Sequence, residues 1–101
     1  MSRTLYRFEF PTEVPIEEIE GLVVLALVAA ESLHGASQTR LDAAHFLDLQ
    51  SRRLVIEADT VVGQDLCKLF TGFALGEFGP TAFRVERVPA AAVPTVPQAV
   101  A

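Results

Sequence analysis

Residues 53–88, RLVIEADTVVGQDLCKLFTGFALGEFGPTAFRVERV, decide the fold class. In RLVIEA (53–58), Leu54, Ile56 and Ala58 fall on one face and Arg53, Val55 and Glu57 on the other. That is the period-2 alternation of a half-buried strand. Asp59 or Thr60 suits a helix N-cap. Over residues 60–78, Val62, Leu66, Leu69, Phe70 and Phe73 then recur at helical spacing, with Ala74 beside them and Gln64, Lys68 and Thr71 pointing away. Gly76, Gly79 and Pro80 close the helix. AFRVERV (82–88) resumes the alternation, with Phe83 and Val85 opposite Arg84 and Glu86. The unit is strand–helix–strand.

The N-terminal half repeats this plan. RTLYRFEF (3–10) alternates Tyr6, Phe8 and Phe10 against Leu5, Arg7 and Glu9, and Pro11 ends it. Pro15 sits where a helix tolerates proline, in the first turn. Glu17, Glu18 and Glu20 follow where they complement the positive end of the helix dipole. The helix is expected from Pro15 to His34, with Gly35 as its stop. Residues 39–49 (TRLDAAHFLDL) are expected to form a strand with Leu41, Ala43, His45, Leu47 and Leu49 on one face, paired to 53–58 through a turn at 50–52.

The predicted order is β-α-β-β-α-β in an α+β protein. It is the ferredoxin-like arrangement, with two helices on one face of a four-stranded antiparallel sheet. Residues 1–88 make the single domain, and 89–101 (PAAAVPTVPQAVA) are expected to be a flexible tail rich in Pro, Ala and Val. Half of the 101 residues are hydrophobic, enough for one small core and too many for a disordered chain.

Charge and cysteine usage narrow the function classes. Eight Lys and Arg against 13 Asp and Glu, a net charge of −5, argue against a nucleic-acid partner, because phosphate affinity rests on clustered cations. A sheet that stacked bases would also need aromatics on its central strands, where Arg7, Glu9, Arg53 and Glu57 stand instead. The longest uncharged apolar run, Gly21–Ala30, has ten residues, against the roughly 20 of a membrane span. Cys67 has no second cysteine to bridge to, and MSRTLYRFEF lacks the apolar run of a signal peptide. The expectation is a cytoplasmic protein with no membrane association.

No cofactor loop, metal-ligand spacing or nucleophile motif is present, so cofactors and metals are not expected. His34 is read as a helix C-terminal residue that complements the dipole. His45 is read first as a satisfied histidine on the inward face of its strand, and is the one weak candidate for a general acid or base. Cys67 is read as a small apolar core residue. Gly63 and Gly72 cost helix propensity and are expected to allow close approach of a neighbour, a local bend being the other explanation. Glu13, Glu17, Glu18 and Glu20 could attract a basic partner or a cation, but the helix dipole already accounts for them.

The first helix carries the main anomaly. One side gathers Ile16, Ile19, Val23, Ala26, Leu27, Ala30 and Leu33 for the core. The opposite side, which should be polar, holds Gly21, Val24, Leu25 and Val28. Scattered exposed aliphatics are ordinary, whereas a contiguous patch marks an interface. The sequence therefore points to a small non-catalytic assembly or adaptor module. It would self-associate, or bind a protein partner, through this patch, through the open sheet face (Leu5, Phe46 and Val55), or through both. The alternative is a small dimeric enzyme or ligand-binding protein with an apolar cleft near His45.

Overall fold

The computed structural model describes residues 4–89. Its elements are β1 (Thr4–Glu9), α1 (Ile16–His34), α2 (Ala36–Asp42), β2 (His45–Asp48), β3 (Arg53–Glu57), α3 (Val61–Phe78) and β4 (Arg84–Pro89). The protein is α+β, with four antiparallel strands in the order β2-β3-β1-β4 and three helices. Pro89 ends β4, so the expected tail beyond it lies outside the described residues.

Alternation in the strands sets the core. Phe8 stands opposite Leu54 on one side and Val85 on the other, and Tyr6 opposite Ile56. Phe8, Phe10, Leu54, Ile56 and Ala58 are buried beneath Ile19, Val23 and Ala26 of α1 and Leu66, Phe70 and Ala74 of α3. The Phe70 ring meets Phe8 edge-on at 4.9 Å and Phe10 at 6.1 Å. Phe83 stacks on Phe10 at 5.6 Å.

Helix boundaries follow local chemistry. Pro15 is extended and sits just outside α1 as its N-cap, and its carbonyl accepts from the Ile19 N–H. At Gly35, φ is 86°, the left-handed region that glycine enters without a Cβ penalty. The Thr60 hydroxyl accepts from the Gly63 N–H at 2.9 Å and caps α3.

The expected strand over 39–49 is overturned in its first half. Residues 36–42 form α2, only His45–Asp48 pair as β2, and there are three helices where two were expected. Two local features favour the helix. Gly35 turns the chain so that its carbonyl accepts from the Thr39 N–H at 3.1 Å, and the Gln38 side-chain amide donates to Asp42 at 2.6 Å, an i,i+4 contact. Leu41, placed by alternation on the core face, is 79% exposed. The β2–β3 turn falls where expected. The Asp48 carboxylate accepts from the Gln50 and Ser51 N–H groups, and hydrogen bonding to Ser51, side chain first, holds its pKa below the ordinary value.

Thr39 is buried, and its hydroxyl has no hydrogen-bond partner among the described residues. A buried unsatisfied hydroxyl is costly, so Thr39→Val is expected to stabilise the fold by about 1 kcal/mol in urea unfolding. The two mid-helix glycines of α3 differ in kind. A Cβ at Gly63 would collide with the Glu57 carbonyl oxygen, whereas one at Gly72 meets nothing within 4 Å. The close approach expected at both exists only at Gly63. Gly63→Ala should destabilise by about 1–3 kcal/mol, and Gly72→Ala should stabilise by about 0.5–1 kcal/mol; a shared sign in denaturant titrations would contradict this steric assignment.

Candidate functional site

Helical periodicity divides α1 into a buried and an open side. Ile19, Val23, Ala26 and Ala30 are buried. On the far side Val24, Leu25 and Val28 are 59%, 48% and 56% exposed, and a Cβ at Gly21 would meet nothing within 4 Å. Positions 21, 24, 25 and 28 follow the i, i+3, i+4, i+7 spacing of one continuous helical stripe. Glu17 and Glu18 lie one turn before it, Glu20 beside it and Glu31 one turn after it, all exposed. Leu33, assigned by periodicity to the core, is 63% exposed, because the last turn of α1 outruns the buried stripe.

The open face of the sheet is held by charge. Arg53 meets Glu9 at 3.2 Å, Glu9 meets Arg7 at 3.3 Å, Arg7 reaches Glu86 at 3.5 Å and Glu86 bonds Arg84 at 2.9 Å. This chain of alternating charge crosses β3, β1 and β4. Leu5 and Val88, opposite one another on the same face, are both buried. Leu5 therefore adds nothing to an exposed apolar surface there. Phe46 remains exposed on the outer strand β2, beside a half-buried Val55.

The titratable side chains do not converge on one site. His45 faces the helix side of the sheet opposite Ile56 but is exposed, and its side chain makes no hydrogen bond or ion pair among the described residues. Partial burial of its ring disfavours the charged form and lowers its pKa from the ordinary histidine value. His34 acts differently from the expected cap. Its Nε2 meets the Asp65 carboxylate at 2.7 Å and ties the last turn of α1 to α3. Cys67 is buried as expected, and burial pushes its thiol pKa up to about 12, which keeps it protonated and unreactive at neutral pH.

One open groove of about 700 Å³ runs between α3 and the strands β1 and β4. Its walls do not include His45, which stands on β2 at the opposite edge of the sheet. This groove is therefore not the cleft that the enzyme reading places near His45. No part of the sequence pattern marked the groove, because its two walls are brought together only by the crossover from β3 to β4. Among the described residues no three His, Cys, Asp or Glu side chains stand together as a metal site, and no helix is long and apolar enough to cross a membrane.

The His45 shift has a definite sign. With the folded pKa below the unfolded one, its contribution to stability is complete above the ordinary histidine range and is lost as pH falls from there toward the folded pKa. His45→Gln should therefore lose less stability than the parent chain between neutral pH and about pH 5. Parallel denaturant titrations of the two proteins read this directly, and superimposable pH profiles would contradict the assignment. Comparison with protein-family models, with curated proteins and with solved structures finds no match for this chain.

Proposed function

We propose that this chain is a small non-catalytic assembly module whose working surface is the outward stripe of α1, Gly21, Val24, Leu25 and Val28. The observation that carries the reading is the exposure of three contiguous aliphatic side chains on a helix whose other side packs on the core through Ile19, Val23, Ala26 and Ala30. Covering the exposed parts of Val24, Leu25 and Val28 is worth about 2–5 kcal/mol. Gly21 lets a second backbone approach closely, so two copies of α1 can cross at this point about a two-fold axis. The sheet face is the weaker candidate, since its charges already satisfy one another and Leu5 is already covered.

The ring of Glu17, Glu18, Glu20 and Glu31 gives self-association a signature. Two copies bring like charges together, so dimerisation should strengthen as salt rises. The same ring supports a second reading, a foreign partner with an apolar stripe flanked by Lys and Arg.

We infer also that the fold is a ferredoxin-like arrangement with α2 inserted after α1. The support is the strand–helix–strand order of the two halves and the central position of β1 and β3. The single Cys67 supports a reducing, cytoplasmic setting.

Light scattering over a concentration series, at low and high salt, tests the assembly reading. The expected result is a dimer that Val24→Glu or Val28→Glu splits, with the unfolding midpoint of the monomer unchanged because both side chains are exposed. A monomer at every concentration and salt would remove self-association and leave the basic-flanked partner.

A further inference from the structure

The groove between α3 and β4 has a polarity built in by the topology. β3 and β4 both pair antiparallel with β1, so they run in the same direction, and α3, which links them, runs back across the sheet. The N-terminal half of α3 therefore lies over the C-terminal end of β4. Lys68 and Arg87 come to one end of the groove by this arrangement, and Leu75 and Val85 to the other. Phe8, opposite Val85, belongs to the apolar end, while Tyr6, opposite Arg87, stands at the cationic end.

Three features of the groove converge on one ligand class. Among the described residues Lys68, the only lysine of the chain, and Arg87 make no ion pair and no carboxylate lines the groove, in a protein of net charge −5. Two unpaired cations over an apolar trough complement an anion that carries a hydrocarbon body. The volume, about 700 Å³, lies in the range of small-molecule sites. Gly72 lines the groove between Lys68 and Leu75, and a side chain there would project into open space, so its absence leaves the trough clear.

We propose that this groove binds an amphipathic monocarboxylate of fatty-acid type. Lys68 and Arg87 hold the carboxylate, and the chain lies past Gly72 toward Leu75 and Val85. Lys68 and Leu75 are two helical turns apart, about 10 Å along α3, which suits a medium-length chain. This site is independent of the α1 stripe.

The test is titration calorimetry of the full chain with decanoate, and with decanol as the uncharged comparison. Saturable binding at one site per chain is expected, weakened about tenfold by Lys68→Met, by Arg87→Met, or by the change to decanol. Gly72→Leu should weaken it by at least about tenfold while leaving the unfolding midpoint the same or higher. The two charge variants lie on the surface and leave the core intact, so they decide the matter even if Gly72→Leu disturbs the helix. Absence of saturable decanoate binding overturns the proposal. So does binding that ignores both cations, or binding abolished by Val28→Glu and untouched at Gly72, which would place the ligand on α1. Stronger binding of an acidic, leucine-rich peptide than of decanoate would also overturn it, in favour of a protein ligand.

Discussion

The contact between the inner face of β1 and α3 is the constraint from which the other features follow. Phe8 and Phe10 lie on the same side of the strand, and the Phe70 ring packs edge-on against both. Fully buried aromatics of this size dominate the energy of a small core, and edge-on geometry fixes their relative placement. With Phe70 anchored over β1, α3 cannot also cover the outer edge of β4. Val85 is left partly open there, and the space between helix and edge becomes the groove.

The same economy of core determines the fate of α1. The helices pack on one face of the four-stranded sheet, and α3 already occupies much of it. The buried stripe of α1 completes that layer, and nothing in the chain's described part lies over its other side. An apolar stripe in that position gains nothing from the fold and exposes hydrocarbon to water. The stripe and the groove are thus two consequences of a one-layer cover, one convex and one concave. Their chemistry differs: the stripe is ringed by glutamates, while the groove holds two cations without partners among the described residues.

Charge on the other face of the sheet has a structural use. The alternating run from Arg53 through Glu9, Arg7 and Glu86 to Arg84 spans three strands, and Arg7 at its centre is the least exposed of its cations. Exposed pairs contribute little one by one. Their larger effect is to make this face unattractive for sheet-to-sheet stacking, since any docking surface would have to desolvate five charged groups.

The sequence by itself determined which segments would be strands and helices wherever one backbone period dominated. Tyr6, Phe8 and Phe10 alternate, Leu54, Ile56 and Ala58 alternate, and Val62, Leu66 and Phe70 recur every fourth residue, so element type and core face were readable for β1, β3 and α3. The outward position of Val24, Leu25 and Val28 was readable for the same reason, because a helix fixes which residues share a side. Within the expected strand 39–49 only the first half misled, because Leu41 and Ala43 continue by coincidence the true alternation of His45 and Leu47, while the turn at Gly35 and the Gln38–Asp42 bond favour a helix. Only the tertiary structure decided the partners. It brought His34 to Asp65, set Gly63 against the Glu57 carbonyl, left Gly72 in open space, covered Leu5, and opposed Lys68 to Arg87 across the groove. Each of these depends on the path of the chain between distant segments, and local periodicity carries no information about that path.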